Sequence, residues 1–527
     1  MHGSMLSSLQ KMYSGVKMCV RSEGNISECF ASDRGVKQGD PLSPFLFGIF
    51  IDRIESFMRS FAPNIGVPLG HILLQLLLYA DDLVIFSESA AGLQKLLDIL
   101  YVFCHFNALT VNIKKSEVVI FNSCFLSDRG VGNTFTYSGE SLKMVDSFVY
   151  LGMEFNSDSC GWRGGSRMIK KSRAAMFSLM NKCDTNLIHN VTLRCKLFDT
   201  LVKPICAYGC EIWGPYSLAK GPGFLSGLKE EAEKLQSIFL RRCLHIRRST
   251  STACVLHELN RIPIPFLWIR QILNFWNKIQ RRNDDDIVKL AMIENFQLAA
   301  DVRQCWVSQL RLGLQRFDLG DFLQIGNIID VDSCMDKMVS FWKRESLFDV
   351  CGSFDALCVR DIPDNQHAGF KIATFLKWFI VDDHEERYLK MWRCLHHPDF
   401  IQVMAQFRLG SHWLNVEWGR FSRPYVPRSE RFCKLCDLGM REDEVHVIFE
   451  CPFYDGLRKQ FPIVDEAFCR FQELIGLEGS DVDKLMRDLI WCRPMDHMGV
   501  GVAYNQIAKF LLKSKSLRSV SGEMSGD

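Results

Sequence analysis

The chain has 527 residues, which is too long for one small hydrophobic core and favours two to four domains. Hydrophobic residues make up 47% and charged residues 24%, as in ordinary globular proteins, and the net charge of +2 excludes a strongly basic chain. Any affinity for nucleic acid must therefore come from local basic patches.

The 21 cysteines are too sparse and too unevenly spaced for a disulfide scaffold in a chain of this length. Residues 1–18 lack the apolar core behind a basic start that marks a secretory signal. We therefore expect reduced cysteines and a nuclear or cytoplasmic location. The longest apolar run, residues 72–86, contains two aspartates and is too short for a membrane span, which needs about 20 apolar residues, so no membrane partner is expected.

The first third of the chain mixes strand and helix signals. A hairpin is predicted around residues 23–25, followed by a helix over 41–60, with Asp40 as a suitable N-cap and proline in the first turn. Apolar strands are predicted on both sides of an acidic pair at 81–82, and apolar side chains at helical spacing predict a helix over 90–106. Short strands are predicted at 118–121 and 148–151.

From about residue 165 the apolar residues recur at helical spacing. The clearest predicted helices cover 168–183, 192–207 and 225–244. Residues 290–400 also favour helices, without any recognisable chemistry, and their acidic run at 382–386 is expected to be a solvated loop. The chain end, from about Lys513, is polar and rich in serine and is expected to fray.

Asp81 and Asp82 stand between two strands that are apolar on both faces, and such strands are usually buried. Two adjacent carboxylates at the tip of a buried hairpin are electrostatically costly without a cation. A divalent metal relieves that repulsion, and phosphoryl-transfer sites often hold two metals about 3.5–4 Å apart. The alternative interpretation is a solvated Asp-Asp turn.

Two stretches are basic and contain no acid, which suits contact with a nucleic-acid backbone. The alternative for each is a solvated helix face. The first stretch, residues 161–173, holds Arg163, Arg167, Lys170, Lys171 and Arg173. The second, residues 237–252, holds Arg241, Arg242, Arg247 and Arg248.

Cys433, Cys436, His446 and Cys451 follow the pattern C-x2-C-x9-H-x4-C, which predicts tetrahedral zinc. Four protein ligands close the coordination shell, so the zinc would be structural. The alternative is a set of unrelated buried cysteines beside a surface histidine. The preceding segment interleaves arginines with aromatic residues, a mixture that suits single-stranded or structured RNA. Its members are Arg408, Trp413, Trp418, Arg420, Phe421, Arg423, Tyr425, Arg428 and Arg431.

Four blocks, in order over about 120 residues, resemble reverse transcriptases. Residues 79–82 (YADD) are similar to the catalytic box, and residues 34–44 (RGVKQGDPLSP) resemble the block before the palm helix. Residues 109–116 (LTVNIKKS) and 148–152 (FVYLG) resemble the next block and the primer-grip hairpin. The resemblance implies that Asp81 and Asp82 are metal ligands and that Lys115 faces the nucleotide phosphates. It also implies that nucleotide and template are bound by Gly35, Gln38, Gly39 and Tyr79, and that the primer grip consists of Tyr150, Leu151 and Gly152.

Two further stretches, residues 202–214 and 405–460, resemble non-LTR (LINE-type) retrotransposon proteins, the second as their C-terminal CCHC zinc knuckle. The resemblance implies an RNA-directed DNA polymerase that uses an RNA template, a DNA primer and deoxynucleoside triphosphates. It also implies two Mg²⁺ ions at the catalytic site and one structural Zn²⁺.

The family uses another aspartate, in a strand well before the Gln38 block. The residues before Gln38 contain a single aspartate, Asp33, directly beside Gly35, which does not match that position. We therefore expect an N-terminally truncated chain, with an incomplete two-metal site and little or no activity alone. The alternative is a non-enzymatic nucleic-acid-binding protein derived from a retrotransposon.

The predicted fold is an α/β partial right-hand polymerase palm, then a mainly α thumb and linker region, then a small zinc-binding module. The predicted divisions are a partial palm (1–155), thumb-like and linker helices (156–290), a helical region of unknown role (291–400), a CCHC knuckle with its basic and aromatic lead-in (401–460), and C-terminal helices with a frayed tail (461–527).

Overall fold

A computed structural model describes most of the chain. The described residues are 3–32, 35–37, 39–121, 134–158, 162–220, 228–301, 304–348, 374–378, 391–419, 421–422, 424–473, 479–490 and 499–520. The acidic run at 382–386 and the residues Asp33, Gln38, Arg420 and Arg423 lie outside them. The chain divides into two compact units, residues 1–146 and residues 147–527. The residues that resemble the primer grip therefore belong to the second unit.

The first unit mixes short antiparallel hairpins with four helices. The helices are α1 (Ser4–Tyr13), α2 (Ser43–Ile51), α3 (Arg53–Phe61) and α4 (Ala90–Phe106). The strands are β1 (Lys17–Met18), β2 (Arg21–Ser22), β3 (Asn25–Ile26), β4 (Phe30–Ala31), β5 (Val67–Leu69), β6 (Ile72–Leu74), β7 (Leu76–Tyr79), β8 (Asp82–Ile85), β9 (Glu117–Val118), β10 (Thr136–Tyr137), β11 (Glu140–Ser141) and β12 (Lys143–Met144). Strand pairs are β1–β4, β2–β3, β5–β6, β7–β8 and β10–β11, all antiparallel, and β9–β12, which is parallel.

The core of the first unit lies between α3 and α4, where Ile54, Met58, Leu96 and Phe103 are buried. Ser89 caps α4, because its side chain accepts a hydrogen bond from the amide of the third helical residue. The helix predicted over 41–60 is divided into α2 and α3 at residue 52. The predicted hairpin around 23–25 is confirmed, and two residues with positive φ form its turn.

The strands beside the acidic pair are less buried than the sequence suggested. Leu77 is 39% exposed and Tyr79 is 62% exposed. In the described part of the chain β7 and β8 pair only with each other, so neither edge of this two-stranded ribbon is covered by a further strand. The predicted strand over residues 73–79 is interrupted at Gln75, whose buried side chain donates hydrogen bonds to the carbonyls of Ala62 and Ile65.

The second unit begins with one hairpin and is otherwise helical. The hairpin pairs β13 (Ser147–Tyr150) with β14 (Met153–Asn156). The helices that follow are α5 (Trp162–Thr185), α6 (Val191–Leu201), α7 (Lys203–Ala207), α8 (Cys210–Ala219), α9 (Leu228–Leu244), α10 (Thr252–Glu258), α11 (Ile264–Gln280), α12 (Ile287–Asp301), α13 (Trp306–Gln315), α14 (Val331–Lys343), α15 (Pro398–Arg408), α16 (Asn415–Trp418), α17 (Asp455–Arg458), α18 (Pro462–Glu473), α19 (Gly479–Ile490) and α20 (Val500–Val520). Residues 374–378 are also helical.

Large aromatic side chains fill the core of the second unit. Trp213 of α8 meets Trp268 of α11 edge to face, with ring centres 4.8 Å apart, and both are buried. Gly313 of α13 lies against Leu218, where an added Cβ would stand 2.8 Å from the leucine Cβ, so the glycine permits close helix packing. No helix in the described ranges is long and apolar enough to cross a membrane.

The chain end differs from the sequence expectation, because α20 continues to Val520 where fraying was expected from Lys513. Ser514 and Arg518 are buried. The Arg518 guanidinium donates to the Trp413 carbonyl at 2.8 Å and pairs with the Glu442 carboxylate at 2.9 Å. Polar composition predicted a frayed end, whereas these buried contacts hold the last helix in place.

Glu233 of α9 is buried, and neither of its carboxylate oxygens has a hydrogen-bond partner in the described structure. Burial raises the pKa of Glu233 from 4.5 to about 7, although the positive charge of Arg241 opposes the rise. The folded chain therefore keeps this proton at a pH where the unfolded chain has lost it.

We expect stability to fall as the pH rises from about 4.5 to about 7, because the folded state then binds more protons than the unfolded state. The substitution Glu233→Gln should remove this contribution, which is at most about 3 kcal/mol. Urea denaturation at several pH values measures it. The exposed neighbour Glu231, changed to Gln, is the matched control. An identical pH profile for Glu233→Gln and the wild type would contradict the expectation.

Candidate functional site

The acidic pair lies at the tip of the β7–β8 hairpin. Tyr79 pairs with Asp82 in the strand register, so Ala80 and Asp81 form a two-residue turn, in which Ala80 has a φ of 52°. Asp81 and Asp82 are both exposed. Neither carboxylate has a salt bridge or hydrogen bond within the described chain. The tip therefore presents two adjacent carboxylates that are accessible to a cation.

The glycine-containing block before α2 is exposed and contains two left-handed turns. Gly35 has a φ of 83° and Gly39 a φ of 85°, and a Cβ on either would meet nothing within 4 Å. Asp40 accepts hydrogen bonds from the Leu42 amide at 3.0 Å and from the Tyr13 hydroxyl at 2.9 Å. These bonds, the first above all, lower the pKa of the Asp40 carboxyl. Backbone in this block is thus open to close approach by a ligand.

Lys115 ends a short 3-10 helix, Ile113–Lys115, and its side chain is exposed. It has no ion pair in the part of the chain that the structure describes. It belongs to the first unit, as do Asp81 and Asp82. The structure therefore leaves this ammonium group open to an anionic ligand such as a phosphate.

The hairpin that resembles the primer grip turns at Leu151 and Gly152, whose φ values are 48° and 80°. The Tyr208 hydroxyl donates to the Leu151 carbonyl at 2.7 Å, which ties the turn to the start of α8. Tyr150 precedes the turn and is half-buried. The turn geometry explains the glycine, because two successive left-handed residues are costly without one.

The basic residues of α5 lie in two different settings. Arg163 pairs with Asp158 at 2.9 Å, and Arg167 lies 3.9 Å from Glu154 of β14. Lys170, Lys171 and Arg173 are exposed and form no ion pair among the described residues. This part of α5 is a positively charged face beside the β13–β14 hairpin.

The arginines around the end of α9 are also divided. Arg241 donates to the Thr250 carbonyl and the Thr252 hydroxyl, and Arg242 pairs with Asp184 at 2.7 Å. Arg248 is exposed. The Arg247 guanidinium lies 4.7 Å from the ring centre of Trp418 and 5.6 Å from that of Phe421. The structure thus joins two basic and aromatic stretches that are far apart in sequence.

Arg408 has a different position from the one its sequence context suggested. It is buried, and its Nε and Nη2 atoms donate to the two carboxylate oxygens of Glu258 at 2.8 and 3.1 Å. A nucleic-acid backbone outside the protein cannot reach this side chain. Arg420, another predicted contact, lies outside the described residues.

The predicted zinc ligands converge. One ligand atom from each of Cys433, Cys436, His446 and Cys451 lies within 4.8 Å of the others. Cys433 Sγ is 3.9 Å from Cys451 Sγ, and Cys436 Sγ is 3.4 Å from His446 Nε2. Ligands about 2.3 Å from a tetrahedral zinc stand about 3.8 Å apart, so these separations fit such an ion.

Local structure explains the convergence. The Cys433 amide donates to the Met440 carbonyl at 2.8 Å, which closes the turn that carries Cys433 and Cys436. His446 begins a helical turn, His446–Glu450, and Cys451 follows it directly. The pKa of the Cys433 thiol falls to about 4, first because the Cys451 thiol hydrogen-bonds to it and then because His446 does. The cluster therefore favours a thiolate, the form that binds metals.

Supporting contacts that the sequence interpretation did not include surround these ligands. His446 Nδ1 lies 3.4 Å from the Glu450 carboxylate, which would orient the ring with Nε2 toward a metal. The His446 amide donates to Asp443. Buried Arg458 donates to the carbonyls of Ile448 and Cys451, so it holds both ends of the ligand-bearing turn. An acid four residues after a ligand histidine is the sequence signal that could have indicated Glu450.

We expect one zinc ion per chain, and we expect Cys436→Ser to lose it. Metal binding supplies about 10–16 kcal/mol of folding free energy to small zinc modules, so residues near 430–455 should then become sensitive to protease. Metal analysis combined with limited proteolysis measures both effects. The exposed Cys469, changed to Ser, is the control and should keep its zinc. A reduced, folded wild-type protein without zinc would refute the assignment.

Two comparisons with known proteins agree with the motifs. Residues 4–155 match the family model of the reverse transcriptase (RNA-dependent DNA polymerase). The chain is 34% identical over 154 residues to a Pol polyprotein from the type-2 retrotransposable element R2DM of Drosophila melanogaster, covering 28% of this chain and 14% of that protein. It is 26% identical over 225 residues to an R2 element polyprotein of Popillia japonica (42% and 29%), and 30% identical over 139 residues to one of Nasonia vitripennis (24% and 12%).

The chain spans less than a third of the length of these relatives. The matched family region includes the acidic hairpin, the glycine-containing block, Lys115 and the β13–β14 turn. Its four motifs, the family match and the retrotransposon relatives agree on one assignment. Residues 4–155 of this chain are therefore a reverse transcriptase region, similar to the Pol polyproteins of R2 retrotransposable elements.

Proposed function

We propose that this chain carries the nucleotide-transfer residues of an RNA-directed DNA polymerase and binds the template and primer through its helical unit. The observation that carries the proposal is the exposed Asp81–Asp82 pair at the tip of the β7–β8 hairpin, within a region that matches the family. Members of this family use divalent metal ions and act on RNA templates with DNA primers and deoxynucleoside triphosphates.

Asp81 and Asp82 would hold Mg²⁺, because carboxylates are the oxygen ligands that this ion prefers. Bound there, the ions would stabilise the attacking and leaving oxygens of the phosphoryl transfer. Lys115 is open to the triphosphate of the incoming nucleotide. Gly35 and Gly39, with no Cβ and with left-handed backbone, would let the template and nucleotide approach the chain closely.

The helical unit offers a surface for the template–primer backbone. Lys170, Lys171 and Arg173 are exposed on α5, and the β13–β14 hairpin lies against the start of the same helix through Arg167 and Glu154. A strand that contacts the hairpin turn at Tyr150–Gly152 can therefore also meet the basic face. Backbone contacts of this kind position a nucleic acid without reading its sequence.

A second candidate function is nucleic-acid binding without catalysis. The observation that favours it is that the α5 basic face and the Cys/His cluster both belong to the second unit, whereas Asp81 and Asp82 belong to the first. Metal binding and primer extension by Asp81 variants distinguish the two candidates.

We expect the chain to bind Mn²⁺ at the hairpin and any primer extension to depend on that metal, because two adjacent carboxylates are electrostatically costly without a cation. Asp81→Asn should weaken Mn²⁺ binding and reduce extension by about 100-fold or more. Electron paramagnetic resonance and primer extension on an RNA template measure these effects. The exposed Glu88, changed to Gln, is the control.

Unchanged Mn²⁺ affinity and unchanged extension in Asp81→Asn would overturn the catalytic assignment of the hairpin. Loss of Mn²⁺ binding in the Glu88→Gln control would show that the effect is general and not specific to the turn.

For the basic face, we expect the triple change of Lys170, Lys171 and Arg173 to Gln to weaken binding to many sequences about equally. The slope of log affinity against log salt should fall by about 2 to 3, since three phosphate contacts are lost. Fluorescence anisotropy at several salt concentrations measures it. The control changes three other exposed cations of the unit, Lys278, Arg281 and Lys337, to Gln. Equal slopes for the two triple variants would make the α5 face an ordinary solvated surface.

A further inference from the structure

Three segments that are far apart in sequence meet beside the zinc module. The first follows α9 and carries Arg247, whose guanidinium stands over Trp418 and Phe421. The Arg247 amide also donates to the Ser411 hydroxyl at 3.4 Å. The second segment carries Trp413, Trp418 and Phe421. The third is α20, where the Lys515 ammonium lies 5.7 Å from the ring centre of Trp413. Positive charges from the first and third segments thus lie beside the aromatic side chains of the second.

Asp399 is an acid that acts on Lys515. Burial lowers the pKa of Lys515, the negative charge of Asp399 opposes that change, and the positive charge of Arg247 adds a smaller lowering. Asp399 also lies 3.7 Å from His397. Arg247 has no acidic partner among the described residues. An anionic ligand would relieve the repulsion between Arg247 and Lys515.

Hydrogen-bond donors also outnumber acceptors here. Lys515 Nζ has a polar contact with the Gln406 side-chain oxygen at 3.4 Å. In the described structure the indole N–H groups of Trp413 and Trp418 are buried and have no acceptor, so they do not contribute to an external site. Two cations beside one group of rings suit a ligand that carries negative charge, such as a phosphodiester.

The aromatic surface is open and held in place. Phe421 is 53% exposed and Tyr425 is 49% exposed. Arg431 is buried beside them, and its Nε donates to the Val426 carbonyl at 3.0 Å. A Cβ on Gly419 would stand 2.5 Å from Arg431 Cδ, so glycine at this position leaves room for the Arg431 side chain. The segment therefore presents exposed rings on a fixed backbone.

We propose that Arg247, Lys515 and Phe421 form a binding site for single-stranded nucleic acid. Arg247 and Lys515 hold a phosphodiester, and a base next to it stacks on the exposed ring of Phe421. Base faces are available for stacking in an unpaired strand and are covered in a duplex, so the site selects single strands. The inference rests on the proposed nucleic-acid binding, but it assigns a contact separate from the α5 face.

The test measures fluorescence anisotropy of the full chain with a labelled RNA strand, the DNA strand of the same sequence, and the RNA duplex. Phe421→Ala should weaken single-strand binding about tenfold and leave duplex binding unchanged. Arg247→Gln and Lys515→Gln should each lower the salt slope by about 0.7. Circular dichroism and zinc content verify that each variant is folded.

Matched controls come from the same unit. Lys513 is two residues from Lys515 on α20, but it contacts Phe461 and Gln460, so Lys513→Gln should bind as the wild type does. Phe322 is 43% exposed outside the site, and Phe322→Ala controls for loss of a surface ring.

A loss confined to RNA assigns the site to RNA strands, and an equal loss for RNA and DNA assigns it to either strand; both support the proposal. An equal loss for strand and duplex in Phe421→Ala overturns base stacking. If the Phe421 and Lys515 variants match their controls while the α5 triple variant is weak, this site is overturned and the proposed function stands. A wild-type chain that binds no strand overturns both.

Discussion

The helical unit depends on a buried pair of opposite charges, Glu258 and Arg408, which lie 150 residues apart in sequence and meet through two hydrogen bonds. The Trp392 indole donates a third bond to the same carboxylate. Removing either partner of such a pair leaves an unbalanced buried charge and costs about 3–5 kcal/mol. Because Glu258 ends α10 and Arg408 ends α15, the pair fixes the start of the 411–425 segment against the region after α9. Arg247 can therefore reach Trp418.

The cost of burying charge also decides which arginines remain available to a ligand. Arg241 donates to Thr250 and Thr252, and Arg242 pairs with Asp184, so both guanidinium groups make contacts within the fold. Lys170, Lys171 and Arg173 on α5 have no such partners in the described structure, and their charge is presented to solvent. A run of basic residues in a sequence therefore contains structural and surface members together, and only the tertiary contacts separate them.

The Cys/His module is joined to the rest of its unit more extensively than a short knuckle motif implies. Glu442 lies between its two ligand pairs in sequence and forms a buried ion pair with Arg518 near the end of α20. The Asn415 amide donates to the same Glu442 carboxylate at 2.9 Å. Metal ligands, lead-in segment and last helix thus share one set of buried polar contacts. Loss of a bound metal should therefore destabilise the lead-in segment as well as the turn that carries the ligands.

Local chemistry along the chain determined several features. Two antiparallel strands joined by a two-residue turn place Asp81 at a hairpin tip. Glycine allows the left-handed backbone at Gly152. The short spacing between Cys433 and Cys436 brings two thiols into one turn. These features depend on residues that are close in sequence, and their motifs also identified the family before any fold was known.

Long-range contacts decided the remaining features. Three sets of contacts join residues more than 70 positions apart. They are the pair of buried Arg408 with Glu258, the pair of Arg518 with Glu442, and the approach of Arg247 and Lys515 to the aromatic lead-in segment. No local pattern encodes such pairs, because a charged side chain has the same sequence signature in solvent and in a buried ion pair. The sequence by itself therefore determined the turns, the Cys/His pattern and the family match, whereas the free-energy cost of burying charge in the folded chain decided which cations support the fold and which remain exposed to solvent.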